Sequence, residues 1–140
     1  MKVLIDTNVL LDFLAKRQDY FKFANDIINA CRLKKITGFV AAHSITNIFY
    51  ILRKEYSIAE RKTMLKHLLN ILKVINLDRE KILNALENES IDDLEDALQA
   101  CCAENYTLDY IIARDLMGFP NVSISVISSE EFCNLIAEED

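Results

Sequence analysis

Apolar residues in this chain follow two alternating rhythms. Val3-Leu4-Ile5 is an unbroken apolar run, as expected of a strand buried on both faces, and short apolar-rich segments recur at residues 37–41, 74–77, 108–113 and 124–127. Between them, apolar residues recur at helical spacing. Asn8 to Lys16 forms a first short helix, and Tyr20 to Leu33 a second, with Tyr20, Ala24, Ile27, Ile28 and Cys31 along one stripe. Ser44 opens a third around Ile45, Ile48, Phe49 and Leu52. Ser57 caps a fourth around Ile58, Leu65, Leu68, Leu69 and Leu72. Asp78 opens a helix reaching about Asn88, Ser90 caps another over residues 92–105, and a last one begins at Ser128. This alternation predicts an α/β fold, with a mainly parallel sheet of four to five strands covered by helices on both faces. Right-handed crossovers bring the ends of such strands to one edge of the sheet.

Three acids stand out by position within that frame. Asp6 interrupts the first strand at its carboxyl end, where open α/β sheets bind ligands. Asp115 follows the fourth strand in the same manner, behind Arg114. Asp96 belongs to the helix between, in the dense acidic segment Ser90-Ile91-Asp92-Asp93-Leu94-Glu95-Asp96. Helix capping and the helix dipole account for Asp92 and Asp93, with Ser90 and Asp93 resembling a capping box. They account less well for Asp96, which the predicted helix places beyond its first turn. Its face carries Asp93, Ala100 and Ala103, small neighbours that let another element approach, and an acid there needs a partner. For Asp6 alone, a turn or cap role is as good a reading as a site.

Composition narrows the chemistry. The chain has 140 residues, 51% of them hydrophobic, which suits one domain with a full core over residues 1–140. No apolar run is long enough to cross a bilayer and no signal-peptide pattern opens the chain, so a cytoplasmic protein is expected. Cys31, Cys101, Cys102 and Cys133 form no C-x-x-C pair, and His43 and His67 show no H-E-x-x-H spacing. Reduced thiols are expected, without a zinc site. With two glycines, Gly38 and Gly118, the chain lacks the loops that cradle nucleotide phosphates. The net charge of −6 argues against a passive nucleic-acid binder. An all-oxygen cluster of Asp6, Asp96 and Asp115 suits Mg2+ or Mn2+, and a hard cation there supplies the positive centre that the chain lacks. Such ions acidify water and offset charge on a phosphate.

The ordered set Ile5-Asp6-Thr7-Asn8, residues 44–50 (Ser-Ile-Thr-Asn-Ile-Phe-Tyr), Asp93-Leu94-Glu95-Asp96-Ala97-Leu98 and Ala113-Arg114-Asp115 resembles PIN domains, and residues 124–132 resemble that family's last strand and helix. The resemblance covers nearly the whole chain. It implies a three-layer α/β/α sandwich and a metal-dependent endoribonuclease, of the kind that serves as toxin in VapC-like toxin–antitoxin pairs. It places the catalytic and metal-binding acids at Asp6, Asp96 and Asp115, with Asp93 as a further candidate ligand. Asn8, Asn47 and Arg114 become supporting or substrate-facing residues. It also implies an RNA substrate, an antitoxin partner and a homodimer.

Three positions depart from the family pattern. Asn47 stands where many members carry a glutamate, Ala113 replaces a threonine before the Arg-Asp pair, and Gly118 replaces an acid ahead of Phe119. Loss of the acid at position 47 motivates a second reading, a catalytically impaired module that binds protein or RNA without cutting. A phosphatase or receiver domain fits poorly, because the first strand ends in one aspartate rather than two.

Overall fold

The computed structural model describes residues 1–139, so of the acidic end that the sequence suggests is frayed, Asp140 lies outside the described residues. Five strands build one sheet: β1 (Lys2–Ile5), β2 (Thr37–Ala41), β3 (Lys73–Ile75), β4 (Tyr110–Ile112) and β5 (Ser125–Ile127). Their order is β3-β2-β1-β4-β5 and every pairing is parallel. The chain therefore reverses its direction of winding at β1, the central strand. The carboxyl ends of β1 and β4 flank the crevice that this reversal opens.

Alternate side chains of β1 feed two cores, and both are needed to bury it. Val3 and Ile5 pack with α1 (Thr7–Leu14), α2 (Phe21–Arg32), α3 (Ala42–Ile51) and α4 (Ile58–Leu69) through Val9, Leu10, Ile27, Ile28, Ile48 and Leu68. Phe132 of α7 (Ser129–Glu139) closes that side. Leu4 faces the other way, toward α5 (Arg79–Leu86) and α6 (Leu94–Asn105), with Ala97, Ala100, Cys102 and Ala103 against the sheet. Small residues on α6 let its axis lie close to the strands. Gly38 serves the opposite face: a Cβ there would fall 2.6 Å from both Cys31 Sγ and Leu72 Cδ2.

The expected α/β/α sandwich is the observed one, with corrections at element ends. Glu138 and Glu139 continue α7 rather than fraying. α3 starts at Ala42, so Ser44 is not its cap; buried, its hydroxyl accepts from Thr7 Oγ1 at 2.8 Å. Ser57 does cap α4, in a full capping box with Glu60. Ser90 does not cap α6. Its main-chain N–H donates to Asn88 Oδ1 at 2.8 Å, and Asp93 takes the cap instead, so α6 begins at Leu94. That shift matters, because it brings Glu95 and Asp96 into the first turn. The four cysteines are free thiols. Among the described residues no helix is long and apolar enough to cross a membrane.

Candidate active site

Asp6 leaves β1 at the switch point and is 5% exposed. It is both a cap and a buried acid. Its Oδ2 accepts from the Asn8 main-chain N–H at 3.1 Å, closing the first turn of α1. Its Oδ1 accepts from Gln99 Nε2 at 2.5 Å. Gln99 is fully buried on α6, and its Oε1 has no hydrogen-bond partner among the described residues. Burial pushes the Asp6 carboxyl above its ordinary range, and the charge of Glu95 adds to that, while the hydrogen bonds from Asn8 and Gln99 oppose it.

Asp96 is pushed up to about 6, first by burial and then by four other carboxylates, Asp93, Asp6, Glu95 and Asp115. All the charges acting on it are negative. Asp115 follows β4, which pairs with β1 so that Ile112 lies beside Ile5. It caps the short 3-10 turn Leu116–Gly118 through the Met117 N–H, at 3.0 Å from its Oδ1. Gly118 lies in the gap between these two acids: a Cβ on it would be 3.0 Å from Asp96 Oδ2 and 3.8 Å from Asp115 Oδ2. The glycine that departs from the family pattern thus packs closely against Asp96, where a side-chain carbon would crowd the carboxylate.

The structure brings Asp6, Asp96 and Asp115 to one crevice and gives the remaining candidates other duties. Asp93 Oδ1 accepts from the Asp96 N–H at 3.0 Å, which fixes the start of α6. Asn8 holds Asp6 by its main chain, and its side chain is exposed. Arg114 does not turn to the crevice. Its guanidinium grips Asp12 through Nε and Nη2 and lies 4.2 Å over the ring of Tyr20. Asp12 is buried, so this pair ties the segment before Asp115 to α1.

Sequence reasoning missed two residues, Glu95 and Gln99. Asn47 Nδ2 donates to Glu95 Oε2 at 3.0 Å, linking α3 to the first turn of α6. The charge of Glu95 acts on Asp6, Asp96 and His43 together, so it faces the same space. His43 lies beside it, half-buried, with its pKa lowered by burial. One signal was present in the sequence: Gln99 is the polar residue within the apolar run from Ala97 to Ala103, four residues after Glu95 and so on its face.

A family model described as PIN domain matches residues 2–117. The chain belongs to the PIN domain family. Ribonuclease VapC1 of Aquifex aeolicus (strain VF5) is 29% identical over 138 residues, spanning 94% of this chain and 93% of that one. Among solved structures, VapBC2 from Rickettsia felis bound to a promoter DNA fragment superposes with a TM-score of 0.70 at 15% identity, covering 91% of this chain and 98% of that chain. A toxin–antitoxin complex from Klebsiella pneumoniae gives 0.68 at 18% identity, over 91% and 97%. At those identities the two structures carry the fold. The PIN sheet order, with its switch at β1, is what sets Asp6 and Asp115 on neighbouring strand ends.

The donor set suits a hard divalent cation. It is all oxygen, its charges are of one sign, and the buried Gln99 Oε1 beside it is unpartnered. Among the described residues no group of three or more acidic, histidine or cysteine side chains stands close enough together to hold a metal ion, so these acids would have to draw together around one.

Proposed function

We propose that this PIN domain is a divalent-metal-dependent endoribonuclease that hydrolyses RNA phosphodiester bonds, with Asp6, Asp96 and Asp115 as its metal-binding and catalytic carboxylates. The observation that carries this reading is the crowding of like-charged acids at the switch-point crevice, where Asp96 holds its proton up to about pH 6. Folding has gathered charges that repel one another, and a cation removes that penalty. Mg2+ or Mn2+ bound there would acidify the attacking water and offset charge on the scissile phosphate. The chain's own residues prepare the place. Asn8 and Gln99 fix both oxygens of Asp6, Asp93 fixes the turn that presents Asp96, and Gly118 brings the backbone after Asp115 close to Asp96 without a side chain to crowd it. The name of the Aquifex relative supports RNA as substrate, and the toxin–antitoxin complex from Klebsiella supports an antitoxin partner; a homodimer in the cytoplasm completes the proposal.

The test is a time course of cleavage on several labelled RNAs with Mg2+ or Mn2+, run beside a chelator control and a folded Asp6→Asn variant. Asparagine keeps the cap to the Asn8 N–H and removes the charge. Outer ligand-supporting contacts are worth about 10–100-fold in metal sites, so loss of a ligand should cost at least about 100-fold in rate. Metal-dependent cutting that survives Asp6→Asn sinks the assignment. No cutting by folded protein, together with no saturable Mn2+ binding, favours a binding module instead, the reading that Asn47 first suggested.

A further inference from the structure

We infer that Glu95 is a fourth metal-binding carboxylate of this crevice, supplied from α6 and aimed by Asn47 on α3. The inference rests on the metal-site reading above and extends its donor set. Position 47 carries an amide, so the α3 side of the crevice offers no anionic oxygen of its own. The structure shows what that amide does: its Nδ2 donates to Glu95 Oε2 at 3.0 Å. One oxygen of Glu95 is thereby anchored. The other has no part in that bond, and the charge lies close enough to act on both Asp6 and Asp96. Asparagine is suited to this task because its amide donates to a carboxylate, which an acid at the same position would repel.

A second observation points to a ligand in the same place. Gln99 lies one helical turn after Glu95, is fully buried, and reaches Asp6 with its Nε2 while its Oε1 finds no partner among the described residues. A buried amide oxygen without a partner is rare in a finished core. Residues 95 and 99 thus present one charged and one neutral oxygen donor from the same face of α6. Asn47 is the positioning residue in this arrangement, acting through Glu95.

Calorimetric titration of metal-stripped protein with Mn2+ tests the inference, using the parent, Glu95→Gln, Asn47→Asp/Glu95→Gln and Asp6→Asn. Glutamine at 95 still accepts from Asn47, so the link between helices survives and the thermal midpoint without metal reports that the fold is intact. The expected result is saturable binding by the parent, loss in Asp6→Asn, and a drop of at least about tenfold in Glu95→Gln. The double variant reverses the hydrogen bond and places the charge on α3, and it should regain at least threefold over Glu95→Gln alone. A purely structural glutamate predicts no such recovery. Glu95→Gln within twofold of the parent, or a double variant no better than Glu95→Gln, overturns the inference while leaving the Asp6 site standing. Absence of Asp6-dependent binding in the parent overturns both, and so identifies the metal-site reading as the one at fault.

Discussion

Asp96→Asn should stabilise the metal-free protein while abolishing its activity. In the folded chain the Asp96 carboxyl moves from 3.8 to about 6, and each pKa unit is worth about 1.4 kcal/mol. The full figure at neutral pH is therefore about 3 kcal/mol of stability lost to the ionised acid. Asp96 keeps partial contact with water, whose screening cuts this to about 1–2 kcal/mol. The sign follows from linkage. Below pH 3.8 the acid is protonated in both states and contributes nothing. Between that point and about pH 6 the unfolded chain ionises freely while the folded one resists, so stability falls as pH rises and then levels off. Asparagine removes that slope. For a chain of this length the gain at pH 7 corresponds to roughly 3–6 °C in thermal midpoint. Thermal unfolding of parent and variant from pH 3.5 to 7.5, with chelator present, measures the difference directly. The two curves should meet near pH 3.5 and separate by pH 6.5, and saturating Mn2+ should raise the parent alone. A variant less stable than the parent at pH 7, or a difference that does not grow with pH, refutes the account of a crowded carboxylate.

Arg114→Ala strands the buried carboxylate of Asp12 with, among the described residues, Arg17 at 3.7 Å as its remaining cation. It should cost about 2–4 kcal/mol, and adding Asp12→Asn should return part of that in a denaturant double-mutant cycle. Gly38→Ala must displace Cys31 Sγ or Leu72, both 2.6 Å from the new Cβ, so a loss of about 1–3 kcal/mol is expected; Cys31→Ala in the same background should recover some of it, and full stability of Gly38→Ala alone would contradict the close packing of α2 on β2. Ser57→Ala breaks the capping box of α4 and should lower stability by about 1 kcal/mol without changing cleavage.

The strands and most helices were legible because continuous apolar runs and 3.6-residue stripes reflect burial directly. Asp6 was legible for the same reason, since an acid that cuts a buried strand has few places to go. The start of α6 was not. Ser90, Asp92 and Asp93 all suit a cap, and only the tertiary fold, which engages Ser90 with Asn88 and Asn121, selects Asp93. That error of three residues carried Asp96 out of the first turn and gave Glu95 no role. Arg114 was misjudged for a different reason: its partner Asp12 is 102 residues away in sequence, and no local pattern announces a pairing of that range. Asn47 looked like a loss for want of its partner on another helix.

The acids of this chain fall into two groups, and the division answers what a net charge of −6 left open. Asp12 and Glu60, outside the crevice, are served by the fold. Asp12 is gripped by Arg114, and Glu60 accepts from the Ser57 N–H, which holds its carboxyl below the usual range. Those inside are worked against: Asp6 is held above the usual range by burial and by Glu95, and Asp96 by burial and by Asp93, Asp6, Glu95 and Asp115. A surface selected only for solubility would spread its acids, because clustering them costs stability and adds nothing to solvation. Here α6 uses small alanines to bring its acidic first turn onto the strand ends, and Gly118 withholds even a methyl group from the gap. Packing this exacting around a destabilising set of charges is what the proposed metal site calls for, because a bound cation would relieve the repulsion.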